Sequence, residues 1–174
     1  HIRQVQKLYE NQSGRKISLP YGVEALRCYE GVKLQKKTEE VSERTEEVQE
    51  LNMEGTTSWV NESFRTRIFP YSGEKILEKK YTKWFDCDKI NCELSVRTRR
   101  SGDYMIVNQS GGRKKLTRCM IDDKIPGEIR QEIPLVAAKD EVLWIVGGRI
   151  SERYKITSQT EKVLEITYQG GNLE

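Results

Sequence analysis

The sequence has little of what enzymes commonly use for acid–base or metal chemistry. Its 174 residues include one histidine, His1, and no C-x-x-C pair. A four-ligand zinc site needs closely spaced His and Cys side chains, so none is expected. A serine or cysteine nucleophile needs a positioned base, which is usually histidine. We therefore assign no catalytic residue and no metal site, and expect no cofactor to bind this chain.

Long apolar runs are also absent. No stretch approaches 18 consecutive apolar residues, so we expect no membrane-spanning helix and no membrane partner. Residues 1–14 are polar and lack the apolar centre of a signal peptide. We expect a cytoplasmic protein whose four cysteines are reduced, with Cys119 on the apolar face of a helix. Because the chain starts at His1 and not at Met, we expect a piece of a longer protein.

The sequence also lacks a complete motif for a phosphate-binding loop. Ser110-Gly111-Gly112 places glycines where free amides could hold an anion. The P-loop pattern G-x-x-x-x-G-K-[ST] and the pattern S-G-G-x-D-S are both missing, because Arg113-Lys114-Lys115 follows the glycines. A nucleotide site is therefore not expected. Phosphate contact by these three cations and a helix start stays open, beside the alternative of a simple glycine hairpin loop.

What the sequence does contain is a strand-rich pattern with short helices. Hydrophobic periodicity predicts a helix over 1–12, a helix from Leu116 through Cys119 and Met120, and a short helix over 127–131. Alternating or continuous apolar runs predict strands, joined mainly as antiparallel hairpins, at 15–19, 23–29, 32–36, 56–69, 81–86, 94–100, 104–107, 133–138, 142–146 and 163–168. The fold class is therefore α+β.

Positive charge is concentrated between Arg97 and Arg118. This window holds seven cations and one anion, Asp103, although the whole chain has a net charge of only +3. Such a concentration is typical of a surface that contacts a phosphate backbone, but also of an edge strand protected against aggregation. The predicted contact residues in the window are Arg97, Arg99, Arg100, Arg113, Lys114, Lys115 and Arg118.

Two further segments carry charge. Arg149 follows two glycines at the end of the most apolar strand, and Arg153 comes shortly after, so both are added to the predicted contact residues, although turn chemistry alone explains the position of Arg149 equally well. Residues 38–55 contain seven glutamates and one arginine, which predicts an acidic mobile loop. A sharper alternative is that this loop folds over the basic window as an RNA mimic.

Several ordered motifs resemble those of bacterial tRNA(Ile)-lysidine synthases. Residues 94–103, LSVRTRRSGD, resemble the family segment "vRtRrpGD", with Ser101 where the family often has proline. The resemblance is strong over 85–168, moderate over 1–37 and nearly absent over 38–80. Its other segments, in chain order, are 19–22, 85–90, 112–116, 121–126, Arg130, 133–136, 143–147, 149–157 and Thr160.

The resemblance implies the fold and the activity of a larger enzyme. Members of the family use ATP and Mg²⁺ to join lysine to the C2 of the wobble cytidine of tRNA(Ile), in an N-terminal catalytic domain whose S-G-G-x-D-S loop is absent here. The last domain of the family is a β-sandwich of unusual topology with a few short helices, and it grips tRNA. The implied partners are therefore tRNA(Ile) and the N-terminal catalytic domain.

The implied domain plan has three parts. Residues 1–14 end a helical substrate-recognition domain, 15–170 form the β-rich tRNA-binding domain with 93–168 as its best-matched core, and 171–174 are a tail. The alternative function is a protein-interaction or dimerisation module in which exposed β-edges near 56–69 pair, which leaves a homodimer open.

Overall fold

A computed structural model describes residues 1–36, 47–76 and 78–170. The chain divides into two compact units. The first is drawn from His1–Thr45 and Met120–Glu132, and the second from Glu46–Cys119 and Ile133–Glu174. Within the described residues, no helix is long and apolar enough to cross a membrane. The proposed domain plan, including a helical domain that ends at residue 14, stays a prediction.

The first unit is a helix on a three-stranded meander. Helix α1, Ile2–Tyr9, is followed by strands β1, Lys16–Leu19, β2, Val23–Cys28, and β3, Gly31–Lys36. The strands pair antiparallel in the order β1-β2-β3. The predicted helix and strands of this region are confirmed. Leu8 is buried on the inner face of α1, which is the residue that the apolar spacing in the helix selects.

The second unit contains two sheets, whose strands are named here in chain order. A six-stranded sheet has the order β10-β9-β12-β11-β8-β4, and a four-stranded sheet has the order β5-β6-β13-β7. The bounds are β4 Gln49–Glu50, β5 Gly55–Trp59, β6 Glu62–Pro70, β7 Thr82–Asp86, β8 Ser95–Arg97, β9 Tyr104–Ile106, β10 Arg113–Lys115, β11 Leu135–Ala138, β12 Glu141–Ile145 and β13 Lys162–Gln169. Helix α2, Leu116–Asp122, begins directly after β10.

The two sheets share one hydrophobic core. Phe64, Phe85 and Leu164 from the four-stranded sheet meet Val136 and Trp144 from the six-stranded sheet. The rings of Phe85 and Trp144 lie 6.4 Å apart, between their centroids. Burying each large apolar side chain contributes about 1.5–3 kcal/mol, so this layer is the main source of stability in the unit. The fold is α+β with a β-sandwich core, as predicted.

Most of the predicted strands and the helix from Leu116 are confirmed, but the connections in the basic window differ. The runs at 94–100 and 104–107 were predicted as neighbouring strands across a turn, yet β8 pairs with β11 and β4, whereas β9 pairs with β10 and β12. The hairpin in this window is therefore β9–β10. The local sequence predicts a turn at Ser101–Asp103. It cannot show that the two strands joined by this turn are not neighbours in the sheet.

Three smaller predictions need correction. Arg113–Lys115 forms β10 and not the entrance of a helix. Residues 127–132 form turns and not a second short helix. Within the acidic loop predicted for 38–55, residues 49–50 form β4 and Leu51 is buried, so this end does not follow the prediction. Residues 38–46 lie outside the described residues. None of the four cysteines, all of which lie among the described residues, forms a disulfide, and Cys119 is buried on α2 as predicted.

Candidate nucleic-acid interface

Arg97 is the one predicted contact residue that the structure places in the core. It is 2% exposed, and its two terminal nitrogens donate to the two carboxylate oxygens of Asp103, both at 2.8 Å. Arg97 Nη2 also donates to the backbone oxygen of Lys139 at 2.7 Å. All of these contacts are internal, so Arg97 cannot contact RNA in this conformation. The prediction for this residue is wrong because β8 lies inside the sheet, between β11 and β4.

The Arg97–Asp103 pair shapes the surface beside it. Asp103 also accepts the backbone N–H of Arg100 at 2.7 Å, and its carbonyl accepts the N–H of Leu116, the first residue of α2, at 2.9 Å. Arg99 donates to the hydroxyl of Thr117 at 3.3 Å. The turn that carries Arg99 and Arg100 is therefore held against the first turn of α2, where Arg118 is exposed.

Edge strand β10 presents its cations on two faces. Lys115 pairs with Tyr104 on β9, and Tyr104 pairs with Glu141 on β12. Direct partners point to the same face of a sheet, and so do residues two apart, so Lys115, Arg113, Tyr104 and Glu141 share one face. Lys114 pairs with the buried Met105 and points to the other face. The three consecutive cations therefore do not form one contact surface.

Arg113 lies on an aromatic ring. Its guanidinium carbon is 4.4 Å from the centroid of the Tyr104 ring, which is the geometry of a cation–π contact. The side chain of Arg113 is exposed and that of Tyr104 is half-buried. A guanidinium held over a tyrosine ring offers a ligand a positive charge next to an aromatic ring.

A cleft of about 440 Å³ lies on this face of the second unit. Arg113 and Tyr104 line one side of it, Glu141 lies on β12, and Arg153 and Tyr154 come from a 3₁₀ turn at Glu152–Tyr154. The remaining lining residues are Lys89, Asn91, Cys92, Ala138, Lys139 and Asp140. Four cations therefore surround a cleft that also contains two carboxylates.

Glu141 is the most buried charged group of the cleft. It is 7% exposed, and its Oε2 lies 3.2 Å from Arg153 Nη1. Burial, and next the charge of Glu141, raises the pKa of Tyr154 to about 12, so the phenol stays protonated at neutral pH. The cleft therefore contains one buried carboxylate, one neutral hydroxyl and exposed cations.

The other predicted contact residues are distributed unevenly. Arg113 and Arg153 line the same cleft, and Lys115 lies on the same face. Arg149 follows the opposite end of β12 from Glu141 and does not line the cleft. Sequence reasoning missed Tyr104, Glu141 and Tyr154. Tyr104 belongs to an apolar run and the other two residues to charged turns, and no local pattern predicts that these side chains meet.

The polar groups of Asp86 and of the glycine loop before Arg113 are used in contacts within the fold. The carboxylate of Asp86 accepts hydrogen bonds from the N–H of Asp88 at 3.1 Å and from the hydroxyl of Thr160 at 2.8 Å, so both of its oxygens are used in contacts within the protein. Among the residues described, no group of three or more His, Cys, Asp or Glu could hold a metal ion. The amide of Gly112 donates to the Asn108 side chain at 2.8 Å in the β9–β10 loop, so the glycine loop is a hairpin connection.

Comparisons with known proteins converge on one family. The family model described as "TilS substrate C-terminal domain" matches residues 94–166. A tRNA(Ile)-lysidine synthase of Caldanaerobacter subterraneus subsp. tengcongensis is 36% identical over 169 residues, which are 97% of this chain and 36% of that protein. One from Clostridium perfringens is 32% identical over 183 residues, covering 98% of this chain and 38% of that protein.

A solved structure agrees with these relatives. The crystal structure of a TILS C-terminal domain superposes with a TM-score of 0.60 at 26% identity, covering 73% of this chain and 98% of that chain. Over about 73% of its length, the chain therefore shares the fold of a TilS C-terminal domain. The chain belongs to the tRNA(Ile)-lysidine synthase family and corresponds to its C-terminal part. It spans a little over a third of the length of the curated relatives named above.

Proposed function

We propose that this chain is the tRNA-gripping part of a tRNA(Ile)-lysidine synthase, the ATP-dependent ligase that attaches lysine to the wobble cytidine of tRNA(Ile). Catalysis, with ATP and Mg²⁺, belongs to the N-terminal domain of that enzyme. In this proposal the present chain contributes no reacting group. Its role is to hold the tRNA so that the wobble base reaches the catalytic domain.

The observation that carries the proposal is the shared face of β10, β9 and β12. Arg113 and Lys115 are exposed on this face, and Arg153 lines its cleft. RNA helices are recognised mainly through phosphates and 2′-hydroxyls, which call for cations spread over a rigid surface. Arg118 and Arg100 extend the exposed positive charge along the start of α2 and the turn beside it.

A salt titration tests the proposal. We expect the chain to bind tRNA(Ile) with an affinity that falls steeply with salt, because each neutralised phosphate contributes about 0.7–0.9 to the slope of log K against log salt. Arg113→Ala combined with Lys115→Ala should lower that slope by about 1.5 and weaken binding roughly a hundredfold or more, since contacts to charged groups are each worth about 1.5–3 kcal/mol. Gel-shift or filter-binding titrations at several salt concentrations measure both.

The matched control removes the same charge elsewhere. Arg65 and Lys162 are exposed on the four-stranded sheet of the same unit. Arg65→Ala combined with Lys162→Ala should change the slope and the affinity far less. Equal losses for the two double variants would mean that net charge alone governs binding, and a chain with no salt-dependent binding would refute the proposal.

The dimerisation alternative makes a separate prediction. If β5, which forms one edge of the four-stranded sheet, paired with a second copy, the apparent mass would rise with concentration. Size-exclusion chromatography with light scattering measures this. No finding favours that function, and a concentration-independent monomer that binds tRNA would remove it.

A further inference from the structure

We propose that the cleft beside Arg113 takes one unpaired nucleobase of the bound RNA, and that it selects bases carrying an exocyclic amino group over uracil. The inference rests on the proposed function, because it names the part of the RNA that this face would hold. It depends on four observations within the second unit.

The first observation is a buried carboxylate oxygen without a partner. Oε1 of Glu141 is buried and accepts no hydrogen bond of acceptable distance and angle from any described residue, although the neighbouring Tyr154 hydroxyl interacts with this carboxylate. Oε2 lies 3.2 Å from Arg153. A buried acceptor left without a donor is unfavourable, and native structures rarely keep one without a reason. A ligand that donates an N–H at this position would satisfy it.

The second observation is the mixed charge of the cleft. Lys89, Lys139, Arg113 and Arg153 line it together with the carboxylates of Asp140 and Glu141. A metal cation would meet these four cations, and a bare anion would meet the buried carboxylate. A nucleotide fits both features, because its base can donate an N–H to Glu141 while its phosphate contacts the exposed cations.

The third observation is the flat surface on one side. Arg113 lies 4.4 Å over the ring of Tyr104, and both residues line the cleft. Splayed bases of single-stranded RNA commonly stack on aromatic rings and on guanidinium planes. Here the two planes are already held together before any ligand binds.

The fourth observation is size. The cleft of about 440 Å³ is within the range of roughly 300–1,000 Å³ that is typical of small-molecule sites. It is open to solvent on the side of Arg113 and Arg153, whose side chains are exposed. A single base can therefore enter it while the chain of nucleotides continues along the surface.

The choice among bases follows from hydrogen bonding. Cytosine, adenine and guanine each carry an exocyclic amino group that can donate to a carboxylate, whereas uracil has a carbonyl oxygen at that position. The N3–H of uracil can also donate, but it is flanked by two carbonyl oxygens, so a carboxylate that accepts it also meets an adjacent acceptor. An oxygen placed against Glu141 Oε1 would leave two acceptors facing each other. Cytosine and uracil have the same ring size, so this pair separates hydrogen bonding from stacking.

The test compares the six-nucleotide RNAs C6 and U6 by fluorescence anisotropy with the intact chain. C6 should bind at least about fivefold tighter than U6, since a matched base contact is worth about 1–3 kcal/mol. A hexamer of N4,N4-dimethylcytidine keeps the ring but has no N–H to donate, and it should bind no tighter than U6. Equal binding of C6 and U6 would overturn the inference.

A matched variant tests the named residue. Glu141→Gln keeps the shape of the side chain but adds an amide that can donate to a carbonyl, so the ratio of C6 to U6 affinity should fall to about one or invert. Tyr104→Ala should weaken C6 and U6 alike. A ratio that is unchanged in a folded Glu141→Gln variant, checked by thermal unfolding, would show that another group reads the base.

Two further outcomes separate this inference from the proposed function. Salt-dependent tRNA binding without any preference for C6 would refute the inference and leave the proposed function standing. Competition with CMP distinguishes a free nucleotide from RNA as the ligand. If CMP displaced C6 at equal concentration, the cleft would be a mononucleotide site, and the inference that it holds a base of RNA would be wrong.

Discussion

Two arginines of the same basic window, Arg97 and Arg113, have opposite environments. Arg97 is buried against Asp103, and its guanidinium donates to the Asp103 carboxylate and to the backbone oxygens of Thr98 and Lys139. Arg113 is exposed on edge strand β10, with its guanidinium on the ring of Tyr104. The residue type and the local charge are the same, so the difference comes from the position of each strand in the sheet.

The comparison shows that a basic window is not one surface. β8, which carries Arg97, is an inner strand of the six-stranded sheet. Between β8 and β9 the chain passes to another part of this sheet, and β10, which carries Arg113, is its edge strand. The inner arginine fixes the turn on which Arg100 is displayed, since Asp103 holds both the Arg97 guanidinium and the Arg100 N–H. The edge arginine is available to a ligand. The first residue supports the candidate interface and the second belongs to it.

The largest expected effect is that of removing the buried arginine. Arg97→Ala leaves the carboxylate of Asp103 buried without its cation, and breaking a buried ion pair in this way costs about 3–5 kcal/mol. Urea unfolding followed by circular dichroism should show this loss as a lower midpoint. At the exposed Arg65, the matched change Arg65→Ala should alter the free energy of unfolding by less than about 0.5 kcal/mol.

A double variant sharpens this prediction. Arg97→Met combined with Asp103→Leu removes both charges and replaces them with apolar groups, so it should be less destabilised than Arg97→Ala. If Arg97→Ala were no less stable than the double variant, the uncompensated Asp103 charge would not be the cause of the loss.

The sequence predicts the helices and strands of this fold better than it predicts which strands pair with each other. Periodicity finds α1, the helix from Leu116 and the hairpin of β11 and β12, because each pattern depends on residues close in the chain. It cannot find that β9 pairs with β12, since that contact joins Tyr104 to Glu141 across the sequence. The same limit explains why Arg97 was predicted as a surface residue and why the cleft was missed.

The second prediction concerns how much Arg113, the arginine on the edge strand, contributes to the stability of the fold. Arg113→Ala removes the cation–π contact with Tyr104, which at an exposed site is worth about 0.5–1 kcal/mol. We expect a loss of this size in urea unfolding, together with the weaker tRNA binding described above. Arg113→Lys should retain most of the stability, but it should weaken base stacking because an ammonium has no flat face.

A loss for Arg113→Ala as large as that for Arg97→Ala would contradict the comparison. It would mean that Arg113 is part of the structural framework, and the weaker tRNA binding of the variant could then come from unfolding. Measuring both variants under the same conditions decides between these readings.

The smallest expected effect comes from a third arginine, Arg67, which combines features of the other two. Its Nε donates to Glu165 Oε1 at 2.7 Å on the four-stranded sheet, but its side chain is 64% exposed. The hydrogen bond from Arg67, helped by one from Trp84 and opposed by burial, lowers the pKa of Glu165. The pKa of Glu165 is therefore lower in the folded state than in the unfolded state. The pair stabilises the fold at pH values above the ordinary pKa of a glutamate. This contribution disappears as the pH falls through the lower, folded-state pKa.

Glu165→Gln should therefore reduce the loss of stability between neutral and strongly acidic pH, by less than about 1 kcal/mol for so exposed a partner. Urea unfolding of both proteins at pH 7 and at pH 3 measures the difference. A matched change at Glu161, which is exposed, should leave the pH dependence close to that of the unaltered chain. If Glu165→Gln lost as much stability at pH 7 as Arg97→Ala, exposure would not set the strength of these pairs, and the ordering of the three arginines by burial would fail.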